Sequence, residues 1–413
     1  MSKYELSLTG AALVGTALYY GHKRYTSDCR VQIIAADPDS DTHTEKRGFQ
    51  SIRSILDEHC PSLTNPSLAY MIPTPYLFSG ILQTAYCSIQ TLKRDHLSDI
   101  VYDRELRTMS DNGTISLDWY PKRDTNPTGP IAVVMAGVGG SSYEYHIRCL
   151  VKALSGGGSG YRVVVMNHRG LGRTPLTSPK LYNLRDADDF HDTLQHIHAT
   201  YPQAPLVGVA FSMGALLLTK YMGEHGTSSL LSAGVAICCP FDMTLTGRLL
   251  DADTLLNNNV FQPLVVASQL RVVKRNLEMI KSHPLGFDMD ALLKAKRISE
   301  IDTLVTVRVL GYRDCWELYD SASTTQYLDR IRAPFLAINS MDDPVVPAHG
   351  LPMDKIRENP YTAMALVKHG GHLGFFSGVK PRSWYLTPVV EFLEAIVSPA
   401  HLKHNEALGK AKL

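Results

Sequence analysis

The chain has 413 residues, of which 44% are hydrophobic and 20% charged, a composition typical of a folded protein with one large core or two smaller ones. Its 41 basic and 40 acidic residues give a net charge of +1, which provides no overall field that would attract nucleic acid. The seven cysteines are scattered and lack C-x-x-C pairs or the spacing of zinc ligands. The composition therefore argues against a nucleic-acid-binding protein and favours a reducing compartment and no metal site.

The N-terminal region contains an uncharged, mostly apolar segment, LSLTGAALVGTALYYG, at residues 6–21. It is short for a membrane span of about 20 residues. The basic residues Lys23, Arg24 and Arg30 follow the segment, whereas those of a cleaved signal peptide precede it. We predict that residues 1–30 form a membrane anchor with the main domain on the cytosolic side, at the endoplasmic reticulum or a lipid droplet. A cleaved signal peptide and a buried amphipathic helix are the alternatives.

An N-terminal extension is assigned to residues 31–100, beginning with a polar linker, AADPDSDTHTEKRG, at 35–48. Residues 101–121 then hold two alternating apolar and polar runs that are separated by the turn sequence SDNG at 110–113. This arrangement predicts an antiparallel hairpin.

Beyond residue 131, short apolar runs alternate with helical patterns: IAVVMAG, YRVVVMN, PLVGVAF, SAGVAICCP, PFLAINS and TAMALVKH. Runs that are apolar throughout indicate strands buried on both faces of a parallel sheet. Between the second and third runs, DADDFHDTLQHIHATYP places Phe190, Leu194 and Ile197 on one face of a crossover helix. The pattern predicts an α/β fold with a mostly parallel central sheet flanked by helices.

One connection is much longer than the others. More than ninety residues separate Pro240 from Ala333, between two consecutive predicted strands. We predict an inserted helical cap at residues 241–330, over the carboxyl edge of the sheet where open α/β sheets bind ligands. The core domain then comprises residues 101–240 and 331–400.

The third apolar run continues into VGVAFSMGAL, residues 207–216, with Ser212 two positions after Ala210 and two before Gly214. A strand that turns at once into a helix needs small residues two positions before and after the turning residue. Ala210 and Gly214 meet this requirement, although Ala210 replaces the first glycine of the nucleophile-elbow pattern G-x-S-x-G. The sequence predicts that Ser212 is a nucleophile.

A serine nucleophile needs a base to accept its proton and a carboxylate to orient that base. The strand PFLAINS is followed by MDDPVVP, which contains Asp342 and Asp343, and the strand TAMALVKH is followed by GGHLGFF, which contains His372. The order serine, acid, histidine is that of a known hydrolase type. We predict Asp343 as the acid, because it directly precedes the turn proline, with Asp342 in reserve. A turn-forming aspartate and an ordinary loop histidine are the alternative interpretations.

The glycine-rich stretch AGVGGSS, residues 136–142, follows the first buried strand. Glycines let backbone N–H groups approach a ligand closely, as an oxyanion hole requires. We predict that the N–H groups of Val138 and Met213 form that hole. A phosphate-binding loop is disfavoured because no Lys-Ser/Thr pair follows Gly140.

Other histidines are assigned structural roles. Three on the crossover helix are expected to pack or to face solvent: His191, His196 and His198. Two H-x-x-x-x-D matches resemble an acyltransferase motif, but sixteen histidines supply such matches by chance: His283 to Asp288 and His349 to Asp354.

Several longer blocks resemble one α/β-hydrolase subfamily, which contains fungal medium-chain fatty acid ethyl ester synthase/esterases and membrane-anchored abhydrolase lipases. The blocks are PTPYLFSGILQT, AGVGGSSYEYHIR, NHRGLGRTPLTSPKLYN, FSMGALLLTKYMGE, GYRDCWELYDSAS, DDPVVP and GGHLGFF. The resemblance implies that Ser212, Asp343 and His372 are nucleophile, acid and base, and that no metal or organic cofactor is used. The chain departs from the subfamily at two positions. Ala210 replaces the usual first glycine of the elbow, and Ala136 replaces a residue that is commonly proline or histidine.

The combined interpretation is a serine lipase or esterase that acts on medium-chain fatty acyl esters. An alcohol O-acyltransferase that makes fatty acid ethyl esters, with acyl-CoA as donor, is the alternative, and a non-catalytic membrane-tethered scaffold is a third. Five apolar residues of the cap would suit a fatty acyl chain or form ordinary cap core: Leu255, Leu256, Val260, Phe261 and Leu264. The sequence does not determine the oligomeric state.

Overall fold

The computed structural model describes residues 29–37, 50–93, 99–123, 126–158 and 160–398. Most of the predicted anchor and most of the predicted linker lie outside these ranges. Among the helices within these ranges, none combines the length and the apolar character that a membrane crossing requires.

A nine-stranded sheet forms the centre of the described part of the chain. Its strands are β1 (Gln32–Ala35), β2 (Asp103–Thr108), β3 (Thr114–Tyr120), β4 (Ile131–Met135), β5 (Arg162–Asn167), β6 (Leu206–Phe211), β7 (Leu231–Ile237), β8 (Phe335–Ser340) and β9 (Thr362–Val367). Their order is β1-β9-β8-β7-β6-β4-β5-β3-β2. Strands β4 to β9 pair in parallel, and β1, β2 and β3 pair antiparallel with their neighbours. All six predicted buried strands and the predicted hairpin are confirmed.

The helices of the described residues are α1 (Ile52–His59), α2 (Pro61–Thr64), α3 (Gly80–Leu92), α4 (Tyr145–Ser155), α5 (Asp188–Thr200), α6 (Met213–His225), α7 (Met243–Asp251), α8 (Gln262–Arg275), α9 (Leu277–Lys281), α10 (Met289–Lys294), α11 (Ile298–Leu304), α12 (Thr306–Leu310), α13 (Cys315–Ala322), α14 (Met353–Glu358) and α15 (Leu386–Val397). Helices α1, α4 and α15 share one apolar core with the sheet, and α5, α6 and α14 share a second. The predicted α/β fold, with helices flanking a mostly parallel sheet, is confirmed.

The burial of one face of α5 explains why the spacing of its apolar residues predicted a helix. Phe190, Leu194 and Ile197 are all buried, since positions four and three apart lie on one helical face. Asp188 and Asp189 occupy the first turn, where negative charge interacts favourably with the helix dipole.

Between β7 and β8 the chain folds as the helices α7 to α13, together with a π-helical turn at Asn257–Phe261. These helices have an apolar core of their own, which includes Val273, Leu292, Ile301 and Val305. The helical segment 262–281 of the cap is interrupted at Asn276, between α8 and α9.

Strand β1 and helix α3 belong to the N-terminal extension, for which the sequence predicted no elements. Strand β1 is only four residues long and pairs with β9. Helix α3 begins at Gly80, which lies so close to the carbonyl oxygen of Asp342 that a Cβ at this position would overlap it. The extension therefore packs directly on the loops that follow β8 and β9.

Candidate active site

Ser212 stands between β6 and α6 with φ +52° and ψ −119°, a backbone conformation that non-glycine residues rarely adopt. Its N–H donates to the carbonyl oxygen of Ile237 at 2.9 Å, which holds the turn against β7. A Cβ at Gly214 would lie 2.6 Å from the carbonyl oxygen of Ala136, so that position has to be glycine. Ala210 is buried in register with Met135 and Ala236, and its methyl group is accommodated there.

The loops after β8 and β9 bring Asp343 and His372 to Ser212. His372 Nε2 lies 3.0 Å from Ser212 Oγ, and His372 Nδ1 lies 2.9 Å from Asp343 Oδ2. The other carboxylate oxygen of Asp343 accepts the backbone N–H groups of Val345 and Val346 at 2.7 and 2.9 Å. A buried carboxylate next to Nδ1 favours the tautomer in which Nδ1 carries the proton and Nε2 is free to accept one.

The neighbouring carboxylate, Asp342, faces away from His372. It lies 3.2 Å from His369 Nδ1 and accepts the backbone N–H groups of Gly370 and Gly371, each at 2.9 Å. Although burial opposes the charged form, these hydrogen bonds keep the pKa of Asp342 below its usual value. Asp342 therefore shapes the loop that carries His372.

Val138 and Met213 both line the cavity beside Ser212. Met213 is the first residue of α6, so its N–H has no acceptor within the helix. Val138 follows Gly137, at which a Cβ would lie 3.1 Å from the Cβ of Ser212. Met213 thus adjoins Ser212 directly, and Val138 adjoins the glycine that lies against it.

The glycine-rich loop is fastened at Ser142 by a buried polar network. The N–H of Ser142 donates to Asn167 Oδ1 at 2.8 Å, and its hydroxyl donates to Asp118. Asp118 is fully buried and also accepts two hydrogen bonds from Arg104, at 2.6 and 2.7 Å. Sequence reasoning did not assign this network, although an aspartate within the buried strand TISLDWY was a signal that could have found it.

Thr84 of α3 is a second residue that sequence reasoning missed. The backbone N–H of His372 donates to Thr84 Oγ1 at 2.8 Å, and that hydroxyl donates to the carbonyl oxygen of Gly80 at 2.7 Å. The N-terminal extension therefore supports the loop that positions the imidazole.

A cavity of about 430 Å³ opens above Ser212 and extends into the cap. Its far part is lined by apolar cap residues: Val272, Val273, Ile280, Leu292, Ile301 and Val305. Of the five cap residues expected to suit an acyl chain, Leu264 alone lines this cavity, whereas Leu255 and Leu256 are exposed. Phe261 is buried outside the cavity, as the alternative of ordinary cap core describes, because the sequence of the cap does not reveal which of its apolar residues face the cavity.

Two carboxyl groups lie in the cavity wall. Burial raises the pKa of Asp302 to about 6, against the opposing effect of hydrogen bonds from Tyr319 and Thr306. Burial likewise raises the pKa of Glu144, next to the glycine-rich loop, to about 7. Both groups retain protons more readily than ordinary carboxyls do.

Comparison with known proteins identifies the family of this chain. A family model described as alpha/beta hydrolase fold matches residues 132–379. The chain belongs to the α/β hydrolase fold family. A human protein named phospholipase ABHD3 is 30% identical over 361 residues, which cover 86% of this chain and 85% of that protein.

Two relatives from Saccharomyces cerevisiae are each 28% identical to this α/β hydrolase. One is named monoacylglycerol lipase and matches over 407 residues, 88% of this chain and 89% of that protein. The other is named medium-chain fatty acid ethyl ester synthase/esterase 2 and matches over 403 residues, 82% of this chain and 88% of that protein. The resemblance predicted from the sequence is confirmed.

One cluster of candidate metal ligands lies beside Ser212 in this α/β hydrolase, and its residues fit a metal ion poorly. Within the described residues, ligand atoms of Cys238, Asp343 and His372 lie within 4.8 Å of one another. Burial raises the pKa of Cys238 well above its usual value, so the thiol retains the proton that a metal ligand must lose. Both ring nitrogens of His372 already have hydrogen-bond partners.

Several histidines of this α/β hydrolase were assigned structural roles from the sequence, and their partners are as follows. On α5, His191 stacks on His225 and His196 lies 2.8 Å from Glu105. In the two H-x-x-x-x-D matches, Asp288 caps α10 and Asp354 pairs with Arg357. These contacts are separate from those of Ser212 and His372.

Proposed function

We propose that this α/β hydrolase is a serine esterase that cleaves fatty acyl esters, with Ser212 as nucleophile, His372 as base and Asp343 as the acid that orients the base. The observation that carries the proposal is the pair of hydrogen bonds through which His372 joins Ser212 to buried Asp343. The names of the relatives, a phospholipase and a monoacylglycerol lipase, support an acyl ester as substrate.

In the first half-reaction, Nε2 of His372 accepts the proton of the Ser212 hydroxyl as Oγ attacks the ester carbonyl carbon. The N–H groups of Val138 and Met213 stabilise the negative charge that develops on the carbonyl oxygen. His372 then gives its proton to the departing alkoxide, which leaves as an alcohol while the acyl group stays on Ser212. Asp343 stabilises the transient imidazolium.

In the second half-reaction, a water molecule takes the place of the alcohol. His372 accepts a proton from the water, whose oxygen attacks the acyl-serine carbonyl, and returns that proton to Oγ as the fatty acid leaves. The apolar part of the cavity holds the acyl chain.

An alcohol O-acyltransferase is the second candidate function, favoured by the name of the yeast ethyl ester synthase/esterase relative. The same acyl-serine would then be attacked by ethanol, and the acyl donor would be an ester or acyl-CoA. Ser212 and His372 have the same roles, because only the group that leaves the acyl donor and the hydroxyl that attacks the acyl-serine differ.

Two measurements on the purified full-length protein test these proposals. A fluorophosphonate probe should label the wild type and the control Ser155→Ala but not Ser212→Ala, and Ser212→Ala should lower turnover on the order of a millionfold, as in a comparable protease. The ratio of free acid to ethyl ester formed with ethanol present then distinguishes hydrolysis from transfer. A wild type that the probe does not label, and that turns over no ester, would instead support the non-catalytic scaffold.

A further inference from the structure

Helix α3 has two neighbouring faces of different character. Thr84, Cys87 and Thr91 point into the cavity wall. The adjacent face exposes large apolar side chains to solvent, with Leu92 76% exposed and Phe78, just before the helix, 61% exposed. Together with one cap leucine these residues form what we call the apolar rim: Phe78, Ile81, Leu82, Ile89, Leu92 and Leu264.

The apolar rim borders the mouth of the cavity. Ser88 of α3 is exposed and also lines the cavity, so the cavity opens beside the apolar face of this helix. In the cap, Leu264 of α8 also lines the cavity while 55% of its surface is exposed. Contiguous exposed apolar residues are unusual on a soluble surface and mark an interaction site.

The position at which the chain enters the fold indicates what covers the apolar rim. The uncharged segment at residues 6–21 precedes Cys29, whose carbonyl oxygen accepts the N–H of Met71 at 2.9 Å, and Arg30 pairs with Tyr70. The exposed apolar stretch begins a few residues after this contact. The apolar N-terminal segment therefore joins the fold at the part of the chain that leads into the apolar rim.

The charges around the mouth favour an anionic surface. Arg271 lines the cavity, and Lys274 and Arg275 follow it by three and four residues on the same face of α8. These residues and Lys93, at the end of α3, are exposed. Basic residues beside an apolar surface bind the headgroups of anionic lipids.

We propose that the apolar rim is a docking surface for a lipid bilayer, with the basic residues at the level of the headgroups. In this orientation the cavity mouth faces the bilayer, and an acyl chain enters the cap without crossing water. The inference extends beyond ester cleavage, because docking depends on the rim and not on Ser212.

Hydrogen exchange on the full-length chain tests the docking surface. The Ser212→Ala variant, which leaves the lipid intact, is compared with and without vesicles of phosphatidylcholine and phosphatidylserine. We expect vesicles to slow exchange in residues 78–93, while residues 103–108 of β2 remain unchanged. Because the readout is local, binding through residues 6–21 alone would leave the exchange of residues 78–93 unaffected.

A double variant supplies the matched measurement. Ile89→Glu with Leu92→Glu should weaken vesicle binding and lower the hydrolysis of a vesicle-embedded ester by about tenfold, since two apolar side chains lose their burial in lipid. Turnover of a short soluble ester should be unchanged, which keeps this test separate from that of the proposed function. The control Leu106→Glu changes a leucine that is 57% exposed on β2, and it should bind vesicles like the wild type.

Three results would overturn the proposal. Vesicles that leave exchange at residues 78–93 unchanged would remove the docking surface. Equal loss of binding in the Leu106→Glu control would mean that the effect is not local. An elution volume that shifts with protein concentration in the wild type but not in the double variant would assign the rim to a second copy of the chain.

Discussion

At the scale of single residues, two adjacent carboxylates have different environments. Asp343 is held by the N–H groups of Val345 and Val346 and faces His372, whereas Asp342 faces His369 and the two glycines before His372. Both are polar and both precede the same turn, so their chemistry does not distinguish them. The backbone hydrogen bonds around each carboxylate distinguish them.

This difference leads to a prediction about kcat. Replacing Asp343 by Asn removes the carboxylate that holds the required tautomer of His372, and kcat for a soluble ester should fall about 10⁴-fold, as it does in a serine protease. Asp342→Asn should lower kcat by no more than about tenfold, because it weakens only the support of the His372 loop. Steady-state kinetics of both variants, with circular dichroism to confirm folding, give the comparison. Similar losses in the two variants would contradict the assignment of Asp343.

At the scale of elements, α3 contributes to the site from outside the core domain. Its first turn lies against the loop of Asp342 and the loop of Gly371, and Thr84 binds the backbone of His372. Phe376, four residues after His372, donates its N–H to Gln83 of the same helix. The helix thus ties together the loops of Asp342 and His372, which follow two different strands.

Gly80→Ala tests this contact, because the added methyl group would overlap the carbonyl oxygen of Asp342. The loop or the helix then has to move, and we expect a loss of about 2 kcal/mol in the free energy of unfolding together with lower kcat. Gly158→Ala is the control, since a Cβ there meets only the end of the Glu394 side chain at 3.4 Å. Urea unfolding and ester turnover of both variants provide the measurement. If Gly80→Ala behaved like the control, α3 would not be clamped to the site.

At the scale of the whole molecule, the cap contributes a buried carboxyl group to the wall of the cavity. The carboxyl of Asp302 is buried, and its pKa is raised from 3.8 to about 6. The folded protein therefore binds a proton that the unfolded chain has already released between these two pH values. Because the folded protein binds more protons than the unfolded chain in this window, the free energy of unfolding falls as the pH rises from about 4 to about 6. Above that pH, Asp302 is charged in a buried site, which is costly.

Asp302→Asn should remove this part of the pH dependence. The free energy of unfolding of the wild type, relative to the variant, should fall by on the order of 2–3 kcal/mol between about pH 4 and pH 6 and then level off. Urea unfolding at several pH values measures the difference, and other titrating groups such as Glu144 cancel because both proteins contain them. A difference that rose with pH would show that Asp302 is stabilised in its charged form.

Much of the fold was determined by the sequence alone. The six parallel strands and the helix α5 have apolar patterns that local periodicity reveals, and the hairpin has a turn sequence of its own. The positions of Ser212, Asp343 and His372 at strand ends could also be predicted, because the carboxyl ends of parallel strands meet at one edge of the sheet. Strand β1 could not, since four residues are too few for a pattern.

Only the tertiary structure decided which side chains meet. The hydrogen bond of Thr84 to His372 joins positions 288 residues apart, and the bond of Ser62 to Glu391 joins positions 329 apart, so no local pattern contains them. The same holds for the cap, where Leu264 lines the cavity and Leu255 faces solvent although both are leucines of one cap segment. Periodicity records the average environment along a helix or strand, whereas the direction of one side chain depends on how distant segments pack around it.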